Sequence, residues 1–152
     1  MPEINVGDMA PDFELEDQEG KKVRLKDLKG KKNVLLVTFP AAFSPVCTSE
    51  MGELKVKQDA ILKLDAAILA SSVDSKWAEK AFAKELGLKF PVLSDFNKKM
   101  LPLYGALIED TGVARRAVFV IDKRGKVVYK RVYEAAQMPD LKEAIDIIKK
   151  LD

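Results

Sequence analysis

Residues Val34 to Phe39 read Val-Leu-Leu-Val-Thr-Phe, a near-continuous apolar and β-rich run that Pro40 ends. A run with so little polar alternation has no face to turn toward water, so it reads as a strand covered on both sides. A second run of the same kind, Ala66 to Val73 (AAILASSV), follows a stretch with Met51, Leu54, Ile61 and Leu62 at helical spacing. That spacing predicts a helix from just after Ser44 to about Leu62. A helical crossover between two buried strands sets them parallel. The chain therefore belongs to the α/β class.

The flanking segments fill in the layers. Phe13 to Glu16 and Lys22 to Leu25, around a turn at Gln18–Gly20, read as a short hairpin. Ser75 to Leu86 reads as a helix closed by Gly87, with Trp77, Ala81 and Phe82 as its apolar face. A turn at Leu93–Asp95 precedes a short helix over Asn97 to Tyr104. Arg116 to Asp122 and Val127 to Tyr133 flank a Lys-Arg-Gly turn and form an antiparallel hairpin. A last helix, from about Pro139 to Leu151, carries Leu141, Ala144, Ile145 and Ile148 along one stripe. The expected fold is a thioredoxin-like three-layer α/β sandwich with a central mixed β-sheet and an N-terminal β-hairpin extension. With 152 residues, 47% of them apolar, one domain over 1–152 is expected.

Charge and rare residues narrow the chemistry. Lys and Arg number 26 against 24 Asp and Glu, a balance without the basic footprint of a nucleic-acid binder. The first residues, MPEINVGDMAPDF, lack the basic start and apolar core of a signal peptide, and no run is long enough for a membrane helix. A cytoplasmic protein is expected, with no membrane or nucleic-acid partner. The chain has no His and one Cys. Imidazole acid–base chemistry, His-based metal sites, Cys clusters and intramolecular disulfides are excluded, and no cofactor or metal motif is present.

The one thiol has a specific setting. Ser44 is a favoured N-cap residue and Pro45 a favoured first helical residue, which puts Cys47 at the third helical position. Unpaired amides and the positive end of the helix dipole favour a thiolate there over a thiol. The site also lies beyond the C-terminal end of a buried parallel strand, where open α/β sheets bind ligands. Arg115 and Arg116 open the strand expected beside Val34–Phe39, so only one of the two guanidinium groups can face the thiol, the alternative being a solvated strand-end arginine. Glu50, one turn after Cys47, could tune the site, but reads first as an ordinary helix-surface or subunit-contact residue.

These residues resemble the peroxiredoxin family. The spacing of Pro40, Ser44 and Cys47 is similar to the family's Pro-x-x-x-Thr/Ser-x-x-Cys motif. Ala10-Pro11-Asp12-Phe13, Phe90-Pro91-Val92-Leu93-Ser94-Asp95 and Arg116-Ala117-Val118-Phe119-Val120-Ile121-Asp122 resemble further family blocks in order and spacing. The pattern is closest to small one-domain members similar to bacterioferritin comigratory protein and the alkyl hydroperoxide reductase E group. The resemblance implies a thiol-dependent peroxidase and a homodimer. Cys47 would attack the peroxide and become a sulfenic acid, with Arg116 stabilising the thiolate and the developing charge. Ser44 would hydrogen-bond the peroxide, and Pro40 would shield the pocket from water. Two departures stand out. Ser44 replaces the more frequent Thr, and no second cysteine occurs in these 152 residues. A one-Cys mechanism follows, with the sulfenate cleared by an external thiol, either a thioredoxin-like protein or a low-molecular-weight thiol.

Two other classes use the same cysteine. A redox sensor needs a reactive thiol but neither the Ser44 hydroxyl nor Arg116. An inert thioredoxin-like module leaves the whole Pro40–Cys47 segment without a reason. A dithiol exchange mechanism fails at once, because position 44 is Ser rather than the first Cys of a Cys-x-x-Cys pair.

Overall fold

The computed structural model describes residues 4–151. Strands β1 (Glu14–Glu16) and β2 (Lys22–Arg24) form the N-terminal hairpin, followed by β3 (Asn33–Thr38), α1 (Pro45–Leu62), β4 (Ala66–Ser72) and α2 (Lys76–Leu86). Next come β5 (Val92–Ser94), a short pair β6 (Leu107–Ile108) and β7 (Val113–Ala114), then β8 (Arg116–Ile121), β9 (Val127–Tyr133) and α3 (Lys142–Lys149). The main sheet has the order β2-β1-β5-β4-β3-β8-β9.

The two apolar runs form the inner strands β3 and β4. All six residues of β3 are buried, and β3 pairs in parallel with β4 from Asn33↔Ala66 to Thr38↔Ser71. On its other side β3 pairs antiparallel with β8, from Val34↔Ile121 to Thr38↔Ala117. The sheet is therefore mixed. Because β3 alternates between two covered faces, its side chains divide between two cores. Leu35 and Val37 join Met51, Leu54 and Ile61 of α1, Phe82 of α2 and Ile148 of α3 in one cluster. Val34 and Leu36 point the other way, toward Phe13, Leu15, Met100, Leu101, Tyr104 and Phe119. The three helices contribute to the first cluster, and turns, short strands and the N-terminal segment cover the second face.

Several segments differ from the sequence reading. Leu93–Asp95, expected as a turn, overlaps β5, which pairs in parallel with β4 and meets β1 at Glu16↔Ser94. Through that pair the N-terminal hairpin becomes an edge of the main sheet. A three-residue strand is too short to show a period, and only its long-range partners define it. The helix expected over Asn97–Tyr104 contracts to a 3-10 turn at Leu101–Tyr104. Asp95 holds its approach by accepting bonds from the Lys99, Met100 and Leu101 amides at 2.8–3.0 Å. The final helix begins at Lys142 rather than near Pro139. Helix α2 closes at Gly87 as expected, with φ 67°. Its buried face is instead Glu79, Phe82 and Ala83, while Trp77 is 73% exposed. Trp77 and Phe82 are five residues apart, about 140° around the helix, and cannot share a face.

Candidate active site

The segment between β3 and α1 crosses the end of the sheet. Phe43 adopts φ 66°, a left-handed conformation that costs a non-glycine residue energy and has to be held by its surroundings. Its ring lies 5.1 Å from that of Phe82, at 63°. Ser44 is extended, as an N-cap residue should be, and its carbonyl accepts the Thr48 amide at 2.9 Å. Its hydroxyl makes no capping bond. Pro45 opens the helix and Cys47 sits at its third position, fully buried. Pro40 is half-buried just beyond β3.

The pairing of β3 with β8 positions the arginine. Thr38 lies opposite Ala117, so Arg116 stands beside the point where β3 gives way to the loop. The Thr38 hydroxyl donates to the Arg115 carbonyl at 2.7 Å and pins the start of β8 there. Arg116 points inward and is only 2% exposed. Its Nη2 donates to Cys47 Sγ at 3.1 Å, its Nη1 to Glu50 Oε1 at 2.5 Å, and its Nε to the Ala135 carbonyl at 3.0 Å. Three bonds in different directions leave the guanidinium little freedom. Arg115 is exposed and, together with Leu107, Glu109 and Val132, lines a separate cavity of about 580 Å³. Strand alternation therefore brings one arginine to the thiol and sends its neighbour away.

Glu50 corrects the sequence reading. It is fully buried, not a surface residue, and it forms the ion pair with Arg116. The spacing of Cys47, Glu50, Met51, Leu54, Gln58 and Ile61 is one helical stripe, and all six are buried. An acidic residue on that stripe was the available sign. Burial pushes the Glu50 carboxyl up to about 7, against the opposing pull of the Arg116 charge and hydrogen bond. Its Oε2 has no hydrogen-bond partner.

The arrangement is a buried sulfur nucleophile facing a fixed cation, with a spare hydroxyl on the same helix start. Charge on the sulfur, or on an oxygen leaving it, would meet a preorganised donor. A proton-accepting imidazole has no place in it.

Comparison with known proteins gives concordant matches. The AhpC/TSA family profile matches residues 6–130. Alkyl hydroperoxide reductase E of Mycobacterium tuberculosis is 37% identical over 139 residues, covering 90% of this chain and 91% of that protein. The chloroplastic 2-Cys peroxiredoxin BAS1 of Spinacia oleracea is 38% identical over 137 residues, covering 84% of this chain and 52% of the relative. Among solved structures, the reduced 2-Cys peroxiredoxin of Plasmodium vivax superposes with a TM-score of 0.86 at 34% identity, over 94% of this chain and 79% of that one.

Proposed function

The chain belongs to the AhpC/TSA family, the peroxiredoxins, and on that footing we propose that it is a one-Cys, thiol-dependent peroxidase whose reacting atom is Cys47 Sγ. The observation that carries this reading is the 3.1 Å bond from Arg116 Nη2 to that sulfur. The Cys47 thiolate attacks the terminal oxygen of hydrogen peroxide or an organic hydroperoxide. The S–O bond forms as the O–O bond breaks, and the departing oxygen leaves as water or an alcohol after taking up a proton. Cys47 is oxidised to the sulfenic acid. Arg116 stabilises the thiolate and then the charge that builds on the peroxide. The Ser44 hydroxyl, uncommitted as a cap, can donate to one peroxide oxygen and accept from the other. Pro40 shields the sulfur from water.

The second half-reaction needs an outside reductant, because residues 1–152 contain no other cysteine. A thiol from a thioredoxin-like protein or a small molecule condenses with the sulfenic acid, releasing water. A second thiol then frees Cys47 and leaves with the first as a disulfide. The chain acts in this reading as one cytoplasmic domain that assembles as a homodimer and needs no cofactor.

The test is consumption of hydrogen peroxide and a model alkyl hydroperoxide with several thiol donors, comparing wild type with Cys47→Ser. The substitution keeps side-chain size and should leave the circular dichroism spectrum unchanged while abolishing turnover. Undiminished turnover by a folded Cys47→Ser protein overturns the proposal.

A further inference from the structure

The loop that carries Phe43 and Ser44 is tethered to a second buried carboxyl group that the peroxide chemistry does not touch. Ala42, inside this loop, donates its amide to Asp74 Oδ2 at 2.8 Å. The Ser72 hydroxyl donates to the same Asp74 oxygen at 2.6 Å, and Asp74's own amide donates back to Ser72 Oγ at 3.1 Å. Glu79 Oε2, from the buried face of α2, lies 3.1 Å from that hydroxyl. The Ser94 hydroxyl donates to the Asp74 carbonyl at 2.6 Å and ties the group to β5. Ser72 and Glu79 are both fully buried, and Glu79 Oε1 has no partner.

Counting protons constrains the direction of these bonds. A serine hydroxyl has one hydrogen to give and two lone pairs to receive with. Ser72 gives its hydrogen to the shorter contact, Asp74, and receives the Asp74 amide. One hydrogen cannot serve both carboxyl groups, so one of them carries its own proton. Asp74 is half-buried and also accepts the Ala42 amide, which leaves the fully buried Glu79 as the better holder of that proton. Glu79 is therefore a neutral carboxylic acid acting as a donor. A buried carboxylate with one oxygen unpartnered would be costly, whereas the carbonyl oxygen of a neutral acid tolerates that position better. Burial, with the Asp74 charge adding to it and the hydrogen bonds from Ser72 opposing it, pushes the Glu79 carboxyl up to about 9, so it holds its proton at neutral pH.

We propose that Glu79 is a positioning residue for Cys47: through Ser72 and Asp74 it fixes the Ala42 amide, and with it the strained loop that sets Ser44 at the start of α1. This rests on the reading of Cys47 as the peroxide-reducing sulfur. The left-handed Phe43 directly after Ala42 explains why such a tether is needed. A residue at φ 66° relaxes unless its neighbours are held, and relaxation there would move Ser44 relative to the sulfur. Phe82, three residues beyond Glu79 on the same helix face, holds the Phe43 ring, so α2 grips the loop at two points.

The experiment compares wild type, Glu79→Gln, Glu79→Ala and Ser72→Ala by two measurements. One is the rate of Cys47 oxidation by hydrogen peroxide; the other is hydrogen exchange at the Ala42 amide. Glutamine still offers a hydrogen to Ser72, so Glu79→Gln should retain Ala42 protection and an oxidation rate within roughly threefold of wild type. Glu79→Ala and Ser72→Ala should release the Ala42 amide and slow oxidation by roughly 10- to 100-fold, the range expected for misplacement by about an ångström. The proposal falls if Ala42 exchange is unchanged in folded Glu79→Ala, or if exchange rises with no loss of rate. It also falls if the Gln and Ala variants lose both properties equally, which would mark a packing role. Should Glu79→Ala fail to fold, Ser72→Ala decides the same question at the next link. If wild-type Cys47 does not react with peroxide, the peroxidase reading fails, while Ala42 exchange still decides whether Glu79 holds the loop.

Discussion

Arg116 stands between Cys47 and Glu50, giving Nη2 to the sulfur at 3.1 Å and Nη1 to the carboxylate at 2.5 Å. The guanidinium is permanently charged, whereas Glu50, held near 7 by burial, is not. The net charge around the sulfur is therefore set by the proton on Glu50. With Glu50 ionised, the ion pair is neutral as a whole and the guanidinium is shared. With Glu50 protonated, the same cation acts on the sulfur alone.

The two adjacent arginines face different surroundings, Arg116 the buried sulfur and Arg115 the surface. Arg116→Met should slow Cys47 oxidation by at least about 100-fold, the scale on which a lost transition-state donor acts. Arg115→Met should change it less than about twofold, because Arg115 is exposed and lines a different cavity. Arg116→Met should also destabilise the protein, as it leaves Glu50 buried and alone; breaking buried pairs costs about 3–5 kcal/mol. Adding Glu50→Gln should recover part of that stability and none of the rate. Stopped-flow oxidation together with urea unfolding reads both effects. Equal rate losses in the two methionine variants would contradict the β3–β8 register.

Stability should depend on pH through the two buried glutamates. Both are raised above the ordinary value of 4.5, Glu50 to about 7 and Glu79 to about 9, so the folded state holds these protons more tightly than the unfolded state. Their contribution is complete below about 4.5 and is lost as pH rises, for Glu50 up to about 7 and for Glu79 up to about 9. Each contributes a slope of at most about 1.4 kcal/mol per pH unit. Glu79→Gln should flatten the profile between pH 7 and 9 relative to wild type, whereas Glu50→Gln should alter it only below 7. Urea midpoints across that range provide the check, and a Glu79→Gln profile parallel to wild type above pH 7 would contradict it.

Much of this site was legible because its parts are local. Pro40, Ser44, Pro45 and Cys47 lie within eight consecutive positions, and a buried parallel strand followed by a helix start dictates their geometry. Arg116 was legible as one of a pair, since strand alternation leaves only two choices. Glu50 and Glu79 were not, although each sits on the core stripe of its helix. Charged residues are assigned to the surface by default, and only the partners reverse that. Arg116 is 66 positions from Glu50, and Ser72 belongs to a different element from Glu79. Strand β5 escaped for a similar reason, its identity resting on β4 and β1 rather than on its own three residues.

The two helix-start serines should behave oppositely. Ser75 Oγ accepts the Ala78 amide at 3.3 Å and caps α2, so Ser75→Ala should cost about 1 kcal/mol of stability and leave peroxide chemistry unchanged. Ser44 occupies the same position before α1 but its hydroxyl caps nothing. Ser44→Ala should cost less than about 0.5 kcal/mol, below the range for a lost cap. It should slow Cys47 oxidation by about tenfold or more, on the scale of one hydrogen bond made in the transition state. Unfolding midpoints and oxidation rates on both variants separate the roles. A stability loss at Ser44 with no change in rate would return its hydroxyl to a structural part.

The state of Cys47 after reaction with one equivalent of peroxide tests the proposed one-Cys cycle. With one equivalent of peroxide and no thiol, the sulfenic acid has no second sulfur in these 152 residues to condense with. Cys47 is fully buried, so two such sulfurs from separate copies do not meet while both chains keep this fold. The sulfenate should therefore persist, react with dimedone, and disappear only when an external thiol is added. Excess peroxide should carry it to the sulfinic acid and end activity. Intact-protein mass spectrometry reads these states as successive single-oxygen additions, and non-reducing electrophoresis would reveal any linked pair. A dominant Cys47–Cys47 dimer would replace the external-thiol cycle with one that operates between subunits. Arg116 would then have to release the sulfur far enough for the two chains to join.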